Sequence, residues 1–372
     1  MKKLFNYKRI YLLILTPISL LLILLAKESS FFAEEIYAKH IYKWISQIIS
    51  LITGLFPFSI GELLLIALPI FILIVLLRFI ILMIAVKEDR KERLWKSILN
   101  SFCFLSVIFF LFTMLAGINY YRYSFTEYSN LVIQDSTVEE LYSLTESLAL
   151  KANQIREQVS KTDEEGVFQL SMSHYELATI ANEAFDLLAE EYPILGGSYG
   201  KAKPILLSKL MSATETTGIF FPFTLEANVN VDVPDYSIPA TMLHELAHLR
   251  GFMREDEANY LAYLAGINSK NIELQYSSTM LALVTAGNAL YSQNPDLYFE
   301  IRDLYSEGVM KDIRANSEYW AQYEDTVVST VSSKINDTYL KANDQEDGVK
   351  SYGRMLDLVL AKYRKDTELT KQ

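Results

Sequence analysis

Met242-Leu-His-Glu-Leu-Ala-His-Leu-Arg-Gly-Phe-Met-Arg-Glu-Asp-Glu-Ala-Asn259 is the stretch on which the reading of this chain turns. His244, Glu245 and His248 form an HExxH pattern inside a run of helical periodicity. On a helix the i, i+4 spacing sets both imidazoles on one face, one turn apart, where they can chelate a single zinc ion while Glu245 reaches a water bound to it. The bland alternative is a pair of surface histidines without metal. The chain has only four histidines, so two falling by accident around a glutamate at this spacing is improbable, and the next dozen residues add to the metal reading.

Gly251 follows His248 by three residues and suits a left-handed turn that ends the helix and lets the chain double back. An acidic start to a second apolar-periodic helix comes next, so a third protein ligand is expected there. Metzincins place a histidine three residues after the glycine; here Arg254 holds that register, and a cation cannot ligate. The alternative third ligand in zincins is a carboxylate from a following helix, and by that resemblance Glu255 and Glu257 are the candidates, with Asp256 on another face, toward water. Against both stands the possibility that the acidic cluster only caps the second helix.

The string Glu255-Asp-Glu-Ala-Asn259 resembles the corresponding segment of glutamate-ligated zincins. That resemblance implies Glu255 as the third ligand and Asn259, one turn later, as the partner that orients a ligating histidine. Together with Gly218-Ile-Phe-Phe-Pro-Phe-Thr-Leu-Glu-Ala-Asn228 and the segment from Tyr339-Leu-Lys-Ala-Asn343 to Tyr352, it makes nearly the whole chain resemble an uncharacterised bacterial family (domain of unknown function 3810). Its members carry three membrane helices and a C-terminal zincin-like domain, with no established substrate. The implied fold class is α+β and mostly helical: three N-terminal transmembrane helices, then a zincin-like metallopeptidase domain with a small sheet.

Composition agrees with a membrane anchor. Of 372 residues 51% are hydrophobic, too many for an ordinary soluble enzyme, and the excess sits in the first third. Residues 10–26, 63–86 and 98–118 are the expected spans. A cleaved signal peptide is the alternative for the first, but no small-x-small site follows Ala26. Lys2, Lys3, Lys8 and Arg9, and the loop with Lys87, Arg90, Lys91, Arg93 and Lys96, place the N-terminus and that loop in the cytoplasm by the positive-inside rule. Everything after Tyr120 is then extracytoplasmic, which divides the chain into a membrane anchor (1–122) and an outer domain (123–372). Between the first two spans, residues 31–55 carry Phe31, Phe32, Ile36, Tyr37, Ile41, Trp44, Ile45, Ile48 and Ile52 at helical spacing. They predict an amphipathic helix on the membrane surface or against the outer domain, with His40 interfacial.

Residues 1–122 hold 14 Lys/Arg and 7 Asp/Glu, a net +7, which leaves −18 on the other 250. So acidic a domain disfavours nucleic-acid binding and electrostatic docking on anionic lipid. The one cysteine, Cys103, lies in the third span, which excludes an intrachain disulfide and a catalytic thiol in the outer domain.

Capping-box patterns at Ser136/Glu139 and Ser173/Glu176 open two helices. Val229, Val231 and Val233 alternate as in a half-buried strand, and either 228–233 or 219–223 is the candidate edge strand along which an extended peptide could add. Pro239 suits the first turn of the helix that carries His244. From Ile272 onward the chain reads as helical, with Leu281, Leu283, Leu290, Leu297, Leu304, Leu356, Leu358 and Leu360 in the core.

A zinc held by two histidines and a carboxylate keeps one position open for water, with Glu245 as general base. The expectation is one Zn2+ per chain, a peptide or protein substrate, and hydrolysis at the outer face of the cell membrane. His174, Tyr260, Tyr263, Tyr276, Tyr352 and Arg354 are the side chains of a type that could stabilise an oxyanion, and the sequence does not choose among them. A site-2-type intramembrane protease is disfavoured by the charges of Arg250 to Glu257 around the motif. The alternative from another class is a non-catalytic zinc-binding sensor or envelope scaffold.

Overall fold

In hydrocarbon a backbone must satisfy its polar groups internally, and the long apolar segments do so as helices. The computed structural model describes residues 8–370, with side chains through Thr367; Lys2 and Lys3 lie outside the described residues. A 3-10 stretch Lys8–Ile14 runs into α1 (Leu15–Glu28), and a π-type run Phe32–Tyr42 leads into α2 (Lys43–Thr53). The hairpin α3 (Ile60–Ala85) and α4 (Arg90–Leu115) follows. Lys8–Glu28, α3 and α4 are each long and apolar enough to cross a membrane.

Small polar residues bring α1 and α4 together: Thr16 Oγ1 donates to Ser106 Oγ at 2.8 Å, and Ser106 Oγ to the Leu12 carbonyl at 2.9 Å. Cys103 is buried in the same seam. Helix α3 stands apart, with Gly61 and Glu62 its buried residues. Arg93 closes the α3–α4 turn by donating to the carbonyls of Leu82, Val86 and Glu88.

The third apolar segment does not remain helical to residue 118. Helix α4 stops at Leu115, and the 3-10 run Gly117–Tyr121 turns Ile118, Asn119 and Tyr120 into the protein. The helix expected at 31–55 forms over Phe32–Thr53 and has two faces. Phe31, Ile36, Trp44, Ile48 and Ile52 are exposed, while Glu34, Tyr37, Tyr42, Ser46, Ser50 and Thr53 are buried. The core therefore runs continuously across residue 122: Tyr37, Tyr42 and Ile118 share it with Leu246 and Leu261.

After α5 (Thr126–Ser129) come α6 (Val138–Arg156) and α7 (His174–Leu188). The first capping box is formed by Thr137 and Glu140, one residue later than the Ser136/Glu139 expectation. Thr137 has the extended backbone an N-cap needs, and Arg364 pins Glu140 at 3.0 Å. Ser173 and Glu176 cap α7 as expected.

The sheet contains β1 (Lys203–Pro204), then, after α8 (Ser208–Ala213), β2 (Gly218–Phe221) and β3 (Glu226–Val229), in the order β1-β3-β2. Strand β3 pairs parallel with β1 and antiparallel with β2, so the central strand is β3 and β2 is an edge. This removes 228–233 as the edge candidate. The valine alternation also misleads, because all four residues of β3 are buried. The strand ends at Val229, and the next residue is Asn230, whose Oδ1 accepts from Asp232 N at 3.0 Å and whose Nδ2 donates to Ser212 Oγ at 2.8 Å.

Next come α9 (Ile238–Leu249), with Pro239 in its first turn, α10 (Glu255–Asn268) and α11 (Ile272–Gln293). The C-terminal part adds α12 (Pro295–Arg302), α13 (Glu307–Ala321), α14 (Val327–Ala342), a 3-10 run Gly348–Arg354 and α15 (Met355–Thr370). Helix α10 lies between α9 and α11; α7 packs on α9 and α10, α6 on α11, and the sheet on the other side of α9. A buried pair, Arg156 to Asp312 at 2.6 Å, ties α6 to α13, and Tyr276 Oη and Phe168 N complete the carboxylate's bonds. Leu283, Leu290, Leu358 and Leu360 are core as expected; Leu304 is exposed, lying beyond the end of α12.

Candidate metal centre

Helix α9 presents His244 and His248 one turn apart, and the chain must reverse to bring a carboxylate to them. It does so at Gly251, whose φ of +90° is the left-handed turn expected. A Cβ there would lie 2.7 Å from Arg122 Nη1 and 3.0 Å from the Tyr42 ring, so the turn also requires a glycine for space. Glu255 then opens α10 facing α9, its amide donating to Gln345 Oε1 at 3.2 Å.

His244 Nε2 and His248 Nε2 are 3.0 Å apart, and Glu255 Oε2 lies 3.1 Å from the first and 3.4 Å from the second. A tetrahedral zinc bound at about 2.0–2.2 Å sets ligand–ligand edges of about 3.3–3.6 Å, and the observed triangle is close to this. Both other ring nitrogens are engaged: His244 Nδ1 with Asn259 Oδ1 at 2.8 Å, His248 Nδ1 with the Phe252 carbonyl at 2.7 Å. Since carbonyl oxygens only accept, each Nδ1 donates, and in neutral imidazoles the Nε2 lone pairs then point at each other and at a carboxylate. Three acceptors converging on one point, with Glu255 Oε2 buried and without a hydrogen-bond donor, fit a cation. Among the described residues this is the group of three or more His, Cys, Asp or Glu side chains close enough to share one ion.

Electrostatics of the bare site say the same. Burial alone would lower His248, yet the Glu255 carboxylate beside it holds it up at about 9. Burial would raise Glu255, and the two histidines hold it down at about 2. The Glu255 carboxylate thus favours positive charge beside it, here a proton on His248.

Glu245 is buried with Oε2 unpartnered. Burial raises its carboxyl to about 7, against the lowering effect of the two histidines and the Phe220 amide. Strand β2 lies over it: a Cβ at Gly218 would come within 2.4 Å of Glu245 Oε1. The next aromatic on that strand, Phe220, has its ring 6.3 Å from that of His248.

Residues 37–360 match the model of a family described as Protein of unknown function (DUF3810). The chain belongs to this family. The DUF3810 match includes His244, Glu245, His248 and Glu255 and begins within the Phe32–Tyr42 run, after α1. No curated protein and no solved structure matches the chain.

The other residues singled out from sequence are distributed as follows. Asn259 bonds His244 and also donates from Nδ2 to the Tyr352 carbonyl at 3.1 Å. Glu257 faces away, its Oε1 accepting from Arg254 at 2.5 Å and from Phe125 N at 2.6 Å, because one residue's step along a helix turns it by about 100° and two by about 200°. Tyr352 stacks over His244 with ring centroids 6.4 Å apart. Arg354, two residues on, is paired with Asp347 at the surface, and His174 is at the first position of α7. Tyr276 is committed to Asp312, and Tyr260 and Tyr263 are buried in α10.

Sequence reading missed the support from the N-terminal part. Tyr42 Oη lies 3.3 Å from the Leu249 carbonyl and 3.4 Å from that of His248, and Arg122 donates to the Arg250 carbonyl at 3.1 Å while paired with buried Glu34 at 2.7 Å. These groups satisfy carbonyls that the end of α9 leaves without helical partners. The available signal is Glu34, an acidic residue on the helix expected on the membrane surface or against the outer domain.

Proposed function

We propose that the chain is a membrane-anchored zinc metallopeptidase, with His244, His248 and Glu255 as ligands and Glu245 as general base. The observation that carries the proposal is the convergence of three lone-pair atoms beside a buried carboxylate with one oxygen unpartnered, under an edge strand. Zinc bound there would supply Lewis-acid polarisation of a carbonyl and acidification of water.

The chain's own residues account for the rest. Strand β2 has one edge outside the sheet and can take an extended peptide by backbone hydrogen bonds. Glu245, raised by burial to about 7, takes the proton of the attacking water and returns it to the amine nitrogen as the peptide bond breaks. Of the candidates for oxyanion stabilisation, Tyr352 has the support of position, stacked on His244. Arg354 and His174 are assigned no part.

The positive-inside pattern supports a site at the outer face of the cell membrane. The three ligands and the base are each nearly closed to solvent, with side chains of His244, His248 and Glu255 exposed by 12%, 9% and 9%. That low exposure favours a second reading, a zinc-stabilised domain that binds or senses without catalysis, because a substrate carbonyl must reach the coordination position that three ligands leave open. Hydrolysis of a peptide library by the zinc-loaded full chain separates the two. Activity in wild type with loss in Glu245→Gln, at equal zinc content, supports the peptidase; no hydrolysis in either refutes it.

A further inference from the structure

Exposed leucines are ordinary singly, but Leu206, Leu207 and Leu210 are exposed by 75%, 45% and 61% within five residues. Their position is fixed by the start of a spanning helix. Glu62, in the first turn of α3 and 5% exposed, accepts from Leu206 N at 3.1 Å and from Leu207 N at 2.8 Å. Both carboxylate oxygens are used in holding this loop against α3.

Neighbouring contacts extend the attachment. Lys203 Nζ donates to the carbonyls of Thr53 and Phe58 at 2.7 and 3.0 Å and pairs with Glu226 at 2.5 Å. Glu226 in turn accepts from the amides of Ile60 and Gly61. A Cβ on Gly61 would strike the Phe221 ring at 2.6 Å, so the edge strand itself rests on the top of α3. Leu55 and Phe56, exposed by 80% and 43%, lie in the turn between α2 and α3. The apolar surface thus continues from the uncovered wall of α3 through this turn to the 206–210 segment, with Lys209 exposed within it.

We infer that the 206–210 segment, the turn into α8 and the first residues of that helix, is seated in the lipid bilayer beside α3, with Leu206, Leu207 and Leu210 in the acyl region and Lys209 at the headgroups. Lipid is the one occupant continuous with a helix long and apolar enough to span, and the mode is apolar insertion, independent of the domain's acidic charge. The consequence is that β2, and with it the metal group, is held at the membrane surface.

Cys103 is the single cysteine, so site-specific labelling is direct. In a Cys103→Ser background of the full chain, Leu206→Cys and Leu210→Cys are labelled with a bimane fluorophore and reconstituted in phosphatidylcholine–phosphatidylglycerol vesicles. Leu64→Cys in α3 and Val327→Cys, 79% exposed on α14, are the references. Quenching of positions 206 and 210 by lipid carrying a nitroxide near the headgroup, to at least half the extent seen at 64, with protection from aqueous iodide, is the expected result. Iodide quenching as strong as at 327 overturns the inference, and so does protection from both quenchers, which would mean that protein covers the segment. The readout involves no catalysis, so it stands or falls apart from the peptidase proposal.

Discussion

Asn259→Ala isolates the weakest-looking part of the metal group. Asn259 Oδ1 sits 2.8 Å from His244 Nδ1 and fixes the tautomer in which Nε2 carries the lone pair. Alanine leaves the ring free to rotate and to place its proton on Nε2, where it cannot ligate. One neutral hydrogen bond contributes about 0.5–1.5 kcal/mol, and loss of an orienting partner of a metal-bound histidine costs about 10–100-fold in affinity, about 1.4–2.8 kcal/mol. The second bond, Asn259 Nδ2 to the Tyr352 carbonyl at 3.1 Å, is lost as well, so Asn259→Asp serves as the comparison. Aspartate keeps the acceptor at Nδ1 with added negative charge and lacks the donor to Tyr352. Zinc affinity of the detergent-purified full chain, measured by competition with a chromophoric chelator, should fall about 10–100-fold for the alanine variant and stay near or above wild type for aspartate. Equal losses in both would refute the orienting role and point to the Tyr352 anchor instead.

Further outcomes follow from other contacts. Gly218→Ala puts a methyl within 2.4 Å of Glu245 Oε1 and 2.7 Å of Thr241 Cγ2; zinc content should be unchanged while peptide hydrolysis falls, and unchanged turnover would show that β2 does not seat the base. Arg122→Met leaves Glu34, fully buried, without its ion pair, which costs about 3–5 kcal/mol; a thermal or denaturant melt in detergent would miss this loss if the pair were dispensable. Zinc affinity should weaken as pH falls. His248 binds metal only when neutral, and in the metal-free site it holds its proton up to about pH 9, so below that each zinc bound displaces one proton and each unit of pH lowers apparent affinity about tenfold. A flat profile below about pH 9 would contradict the described environment of the ring.

How much was legible beforehand depended on whether a feature was local. His244, Glu245 and His248 share one helix, so spacing alone places them, and Gly251 announces its own turn. Glu255 and Glu257 are both acidic and two residues apart; only the packing of α10 against α9 turns one toward the histidines and the other toward Arg254 and Phe125. The valines of 229–233 suggest a strand with one wet face, but the strand stops at Val229, Asn230 turns its side chain to Ser212, and all four residues of β3 are buried. Least visible was the role of residues 33–62. Apolar periodicity predicts the 31–55 helix and leaves open whether it lies on the membrane or against the outer domain; it does not reveal that Glu34, Tyr42, Ser50 and Thr53, with Glu62 beyond them, bind Arg122 and the loops around α9 and the sheet. Partners more than 80 residues away leave no mark in local pattern.

The central claim is tested most directly by the metal content of the full chain, purified in detergent, loaded with zinc and dialysed, in wild type, Glu245→Gln and Glu255→Ala. The account predicts one zinc per chain in the first two and none in the third, because Glu255 closes the triangle of ligands and Glu245 does not. A folded wild type without zinc, or a Glu255→Ala variant that keeps it at wild-type affinity, would contradict it.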